Sequence, residues 1–278
     1  MCLIHKFHFL NPACSNKAWM KTKSMIVGFP NNPRKDLIEE VRWIGGSRFE
    51  FVDLFLEEDK ATPDSIDLGE VKRLLNHYGL HAVGHTPYYL PIGSPSKPLR
   101  SVAVQEATRC FDVFRLLDVR FAAVHADWPS GLFTVDDGLR FQIESLNFLV
   151  DEAEKYGITL LYEPTISKEN RVENVRRILD VMPRLMLLLD IGHANLNSNR
   201  PVEFIERFND RIMHVHLSDN DGSGDLHLPI GCGNIDWCET LRCLKRYYDG
   251  TITLEIFSPD RNYALYSRKS LEEIWGRV

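Results

Sequence analysis

The sequence predicts an α/β fold, a single (β/α)8 barrel, on three observations. Short apolar runs recur eight times from residue 25 onward, each aliphatic or β-branched, as strands buried on both faces of a parallel sheet are. Segments of helical period lie between them. The length, 278 residues, suits one barrel domain. A doubly wound open sheet shows the same alternation and stands as the alternative, because alternation alone does not reveal closure.

Taken in order, MIVGF (25–29) is followed by RKDLIEEVRWIG, which places Leu37, Ile38, Val41 and Ile44 on one helical face. FEFVDLFL (49–56) and HAVGH (81–85) supply the second and third strands. VAVQEATRCFDVFRLL turns Val104, Ala107, Phe111 and Phe114 to one side and leads into RFAAVH (120–125). GLRFQIESLNFLVDEAEKYG repeats the helical pattern before ITLLYE (158–163), and LMLLLD (185–190) follows. PVEFIERF opens with Pro201 at a first helical position, where a missing N–H does no harm. IMHVH (212–216) and TITLEIF (251–257) complete the strands, and Ser267 to Trp275 reads as the last helix. Residues 1–24 lack the long apolar core of a secretory signal and are expected to be a disordered extension, leaving residues 25–278 as one domain.

The composition, 44% hydrophobic and 26% charged, is that of a globular protein with a sizeable core. A net charge of −6 argues against a broad electrostatic grip on nucleic acid or on an anionic membrane and leaves room only for a local patch. No apolar stretch reaches the length of a transmembrane helix. The six cysteines (Cys2, Cys14, Cys110, Cys232, Cys238 and Cys243) form no C-x-x-C pair, so a reduced, cytoplasmic setting is expected. Cys232 reads as a small buried filler.

The stretch HVHLSDNDGSGDLHLPIGCG (214–233) gathers three histidines and three aspartates. A solvated loop, a calcium loop and part of a transition-metal site are the competing readings. Asp219, Asp221, Ser223 and Asp225 alternate as in a calcium loop, but the closing position that needs a bidentate Glu is Ile230. Calcium is therefore disfavoured.

Barrel active sites sit at the C-terminal ends of the strands. Those ends carry His85, His125, Glu163, Asp190 and His216, and the eighth run carries Glu255. A lone His there is usually a hydrogen-bonded structural residue, and a lone Asp or Glu often caps the next helix. Six consecutive strands are harder to explain so, because several carboxylates buried in one mouth are strongly unfavourable without a cation. Mixed nitrogen and oxygen donors suit zinc, manganese, cobalt or iron.

Together, GHTPYYLPIGSP, VHADWPSG, LLYEP, LDIGH, HVHLSD, DLHLPIGCGNIDW and LEIF resemble the xylose-isomerase-like TIM barrel superfamily over about residues 25–278. That group holds sugar and sugar-phosphate isomerases and epimerases and the endonuclease IV type of DNA-repair enzyme (AP endonuclease family 2). The resemblance implies one to three divalent ions per chain. A mononuclear site would use Glu163, Asp190, His216 and Glu255. A trinuclear site would add His85 and His125 beside Glu163 for one further ion, and His193, Asp225 and His227 for another.

The activity this implies is isomerisation or epimerisation of a small sugar or sugar phosphate through a metal-stabilised enediolate. Glu163 and Glu255 would exchange the proton, and His193 would bond a substrate oxygen. His85, His125, Tyr88, Trp128 and Phe257 are candidate substrate contacts. Some epimerases of the group carry an Arg shortly after the seventh strand, where this chain has Asn220 and Asp221, and Arg261 is the candidate replacement. Gly231 and Gly233, ahead of a helix expected from Ile235, could hold a phosphate or serve only the turn. His214 is expected to pack deeper than His216, Asp219 to orient a ligand or cap a turn, and Asp221 to be solvated. The alternatives are a dehydratase or lyase on the same platform and a trinuclear zinc phosphodiesterase. Against the phosphodiesterase stand the acidic balance, the modest basic cluster SPSKPLR (94–100) and a VHADWPSG turn unlike that branch's HPG. The expected partner is a small sugar-like molecule, with nucleic acid disfavoured and no membrane. Nothing in the sequence decides the oligomeric state.

Overall fold

Each apolar run forms a strand, and the strands are short: β1 (Ile26–Pro30), β2 (Phe51–Phe55), β3 (His81–His85), β4 (Phe121–His125), β5 (Thr159–Glu163), β6 (Met186–Asp190), β7 (Ile212–Leu217) and β8 (Thr251–Leu254). The computed structural model describes residues 25–278, and the expected extension 1–24 lies outside them. The strands pair in chain order, every pair parallel, and β8 pairs with β1 to close the barrel. Closure excludes the open doubly wound sheet.

The helices that cover the barrel are α1 (Leu37–Gly46), α2 (Leu68–Tyr78), α3 (Lys97–Leu116), α4 (Val135–Lys155), α5 (Val172–Val181), α6 (Pro201–Arg207), α7 (Trp237–Tyr247) and α8 (Asn262–Arg277). Local capping fixes several starts. Asp36, Asp67 and Asp236 each accept the N–H three residues on, and Thr134 with Asp137 forms a reciprocal capping box. Hence α7 begins at Trp237, just after the capping Asp236, and not at Ile235. The eighth strand ends at Leu254, earlier than the apolar run implied, and α8 starts at Asn262. Glu255 thus lies just past β8, with its N–H still bonded to Leu217 O at 3.0 Å. Among the described residues no helix is long and apolar enough to cross a membrane.

Strand periodicity sorts the interior by depth. Ile26, Phe51, Val83, Phe121, Leu161, Met186, Leu188 and Met213 belong to one buried apolar cluster within the barrel. Two residues further along their strands stand Asp53, His85, Glu163 and Asp190, all nearly inaccessible. On β7 a register shift opposite Leu187 and Leu188 changes the phase, so both Met213 and His214 face inward and His216 follows above them. Apolar packing fills the base, and polar groups crowd the C-terminal mouth.

Candidate metal centre

Glu163, at the end of β5, stands at the centre. Its Oε2 lies 3.0 Å from His85 Nε2 and 3.0 Å from His125 Nε2. Its Oε1 lies 3.7 Å from His216 Nδ1 and 3.7 Å from His193 Nδ1. Glu255 Oε2 approaches His216 Nδ1 to 3.1 Å from the other side, and Asp190 Oδ2 lies 3.9 Å from the same nitrogen. Over the rim, Asp225 Oδ2 sits 3.0 Å from His227 Nε2 and 3.3 Å from His193 Nε2. All nine ligand candidates from the sequence converge here.

The ring orientations test whether a cation fits. His85 Nδ1 faces Thr86 O at 2.8 Å, His193 Nδ1 faces Pro164 O at 3.1 Å, and His227 Nδ1 faces Glu255 O at 3.1 Å. A carbonyl only accepts, so each of these nitrogens carries the hydrogen. In a neutral ring the other nitrogen then points a lone pair at a carboxylate oxygen. Two acceptors at about 3 Å repel unless a proton or a cation lies between them. Asp190 Oδ2 and Asp225 Oδ1 are also buried with no hydrogen-bond partner among the described residues. The donor atoms of Glu163, Asp190 and His216 lie within 4.8 Å of one another, as do those of His85, His125 and Glu163. These features suit divalent cations, with His193, Asp225 and His227 able to offer donors to a further ion.

Charge balance without a cation is met by protons. Burial raises Asp190 to about 7, and the Glu255 and Asp225 carboxylates add to that rise. Burial works against protonation of His193, yet Asp190 and the Asp225 bond hold it up at about 10. His227 stands at about 9 against the same burial, through Glu255 and Asp225. His125 is lowered, because burial outweighs the pull of Glu163.

Below the centre, Asp53 Oδ2 accepts from His216 Nε2 at 2.8 Å and from Thr253 Oγ1 at 2.8 Å, with His214 Nε2 at 3.2 Å. Burial alone would raise the Asp53 pKa, but the two histidines hold it far below the usual carboxylate range. Asp53, His214 and His216 are close enough to hold an ion. Their hydrogen bonds, with His214 Nδ1 also 2.7 Å from Thr251 Oγ1, make a polar floor the better description. Sequence reasoning missed Asp53; the signal was one acidic residue inside the apolar run FEFVDLFL.

A cavity of about 490 Å3 opens above, bounded by Phe55, Tyr88 and Phe257 and reached by Asn32, Pro33 and Glu57. The Phe55 ring lies 4.2 Å from His85 and the Phe257 ring 4.1 Å from His227. Phe55 and Glu57 were also missed, for they carry no ligand-like pattern.

Two expected substrate contacts do not line this cavity, although Arg261 lines an adjoining one that shares Asn32 and Phe257 with it. The Trp128 indole packs on Gly138 of α4 and donates to Asn170 Oδ1 at 2.8 Å, away from the residues that line the cavity. Arg261 pairs with Glu40, a carboxylate only 3% exposed, and stacks 4.6 Å over Trp43. That buried acid requires a cation, which draws the guanidinium to α1. Cys232 is exposed, not a buried filler.

The loop glycines serve the turn in this structure. Gly231, at φ +88°, donates its N–H to Asp219 Oδ2 at 2.8 Å, and a Cβ on Gly233 would lie 2.2 Å from Asn220 O. Asp219 also takes Trp237 Nε1 at 2.8 Å, so it organises the loop, and among the described residues none of its side-chain hydrogen bonds is to a candidate ligand histidine. His214 is fully buried and Asp221 exposed, as their positions implied.

A family model described as xylose isomerase-like TIM barrel matches residues 38–275. An uncharacterized protein of Methanocaldococcus jannaschii is 33% identical over 202 residues, 66% of this chain and 66% of its own. Fructoselysine 3-epimerase of Escherichia coli O157:H7 is 25% identical over 218 residues, 73% of this chain and 78% of its own. The crystal structure of a D-tagatose 3-epimerase-like protein superimposes with a TM-score of 0.82 at 27% identity, covering 91% of this chain and 98% of the other. The chain belongs to the xylose isomerase-like TIM barrel family.

Proposed function

We propose that the protein is a divalent-metal-dependent epimerase or isomerase of a small ketose-like sugar. The observation that carries the reading is the placement of Glu163 and Glu255, delivered by β5 and by the end of β8 to the same nitrogen, His216 Nδ1. The names of its relatives, a fructoselysine 3-epimerase and a D-tagatose 3-epimerase-like protein, support the substrate class.

Asp190, His216 and the two glutamates would hold the ion. When bound, such an ion would supply Lewis-acid polarisation of a carbonyl and its neighbouring hydroxyl, which would make the carbon beside the carbonyl easier to deprotonate. One glutamate takes the proton α to the carbonyl and the other returns one to the opposite face, which inverts that carbon. His193, with Nε2 toward the cavity and Nδ1 anchored on Pro164 O, bonds a substrate oxygen. His85 and His125 stand beside Glu163 at the cavity wall, where substrate hydroxyls would reach them. Phe55, Tyr88 and Phe257 stack on the sugar and limit water at the reacting carbons. With the Gly231 amide engaged by Asp219, the reading is for an unphosphorylated sugar. The reduced, cytoplasmic setting expected from the cysteines belongs to the same proposal.

Incubation of manganese- or zinc-loaded protein with free ketoses in D2O tests this. The expected product is the epimer at the carbon beside the carbonyl, with one deuterium there. Neither epimer nor exchange with any ketose would contradict it.

A second reading, phosphodiester hydrolysis on three ions, is favoured by one observation: donors for flanking ions lie on both sides of the central group, at Glu163 and at Asp225. Incision of an abasic-site duplex by zinc-loaded protein is its test.

A further inference from the structure

Glu57 is a carboxylate in the cavity for which the proton transfer between Glu163 and Glu255 has no use. It is only 6% exposed, yet it lines the space over the metal centre. Among the described residues the carboxylate accepts one hydrogen bond, from Tyr88 N–H to Oε1 at 3.2 Å, and forms no salt bridge. No donor of the protein is bonded to Oε2 among the described residues, and the carboxylate borders the open cavity. The side chain is also held in place. It follows Phe55, whose ring packs on His85, by two residues, and the next residue, Glu58, donates its N–H to Tyr89 Oη at 3.4 Å. These contacts tie the segment to the end of β3 and to the loop that follows it.

A substrate that displaces solvent from the cavity must supply a donor to Glu57 Oε2, or the carboxyl is left unpaired at a cost. Glu57 is not part of the close donor groups at Glu163, so it is available to a ligand in the cavity. We propose that Glu57 is a specificity-determining residue that accepts a hydrogen bond from an N–H or O–H donor on the substrate, beyond the carbons that react. The substrate class is then a ketose carrying such a donor on its chain, an amine-substituted ketose above all. A cationic nitrogen forms the stronger, charge-assisted bond to a carboxylate. Burial, aided by the nearby Glu255 and Glu163 carboxylates and opposed by His85, holds the Glu57 pKa above the usual range, consistent with a site short of a donor.

The inference rests on the sugar-epimerase reading, and calorimetry separates the two. Binding of D-fructose and of 1-amino-1-deoxy-D-fructose to full-length, manganese-loaded protein is compared for the wild type, Glu57→Gln and Glu57→Asp, with metal content measured on each. Glu57→Gln is expected to weaken the amino sugar at least 10-fold and D-fructose about 3-fold, with metal content unchanged and KM rising in step with Kd. An equal, substantial loss for both sugars would assign the donor to a hydroxyl and still support the role of Glu57. Binding by Glu57→Gln within 2-fold of wild type for both sugars would overturn it, as would a wild type that binds neither. Wild-type binding without turnover would contradict the epimerase reading alone.

Discussion

Asp53 Oδ2 lies 2.8 Å from His216 Nε2, and this bond decides which nitrogen His216 presents to the candidate metal centre. With the hydrogen held on Nε2, Nδ1 is left facing Glu255, Glu163 and Asp190. The carboxylate also makes the imidazole a stronger donor, as partners behind metal-bound histidines generally do. Asp53→Asn keeps the volume but removes the charge. Affinity for manganese or zinc should fall about 10- to 100-fold, measured by competition with a chelating dye. Unchanged affinity would show that Asp53 serves only the polar floor with Thr253 and His214.

Glu255→Gln preserves shape and removes the proton acceptor. Turnover should drop by about 10^2 to 10^4, the usual worth of a positioned acid or base, while circular dichroism and melting stay close to wild type. Deuterium exchange at the carbon beside the carbonyl is the direct readout. A variant that retains the wild-type rate removes Glu255 from proton transfer.

Cation binding should release protons at pH 7. Burial opposes protonation of His216, but Glu255, Glu163 and Asp53 hold its pKa well above the ordinary value, so Nδ1 carries a proton before the ion arrives. His193 at about 10 and His227 at about 9 are also protonated, and a nearby cation pushes both down. Ligation needs the free base. Affinity should therefore rise as pH increases from 7 through the range in which those protons leave, and the number released should shrink. Below pH 7 affinity should weaken further as Asp190, at about 7, takes up a proton. Calorimetry in two buffers of different ionisation enthalpy counts the protons. Binding with no proton release at pH 7 would contradict protonated His216, His193 and His227 in the metal-free protein.

The barrel was legible in the sequence because each strand is one short apolar run, and half of them end on a polar residue. His85, His125, Glu163 and Asp190 could be placed on one rim by that rule alone. Asp53 could not, since a single acid within an apolar strand has no partner until His214 and His216 are brought across the barrel. The register shift on β7 was equally hidden; it turns His214 and His216 inward together with Met213. Trp128 and Arg261 lie outside the lining of the cavity over Glu163 for a different reason. Their loops are drawn aside by contacts distant in sequence, Trp128 to Gly138 and Asn170 and Arg261 to Glu40 and Trp43. Loop side chains follow such partners more than their distance from a strand end.

Whether the barrel mouth is a metal site built on Glu163, Asp190, His216 and Glu255 is decided by elemental analysis of gently purified protein, repeated on Asp190→Ala. About one divalent transition-metal ion per chain is expected, lost in the variant. A chain that holds no ion and takes up neither zinc nor manganese when they are supplied would contradict the metal site. About three zincs per chain would instead make His85, His125, His193, Asp225 and His227 ligands and move phosphodiester hydrolysis ahead of epimerisation.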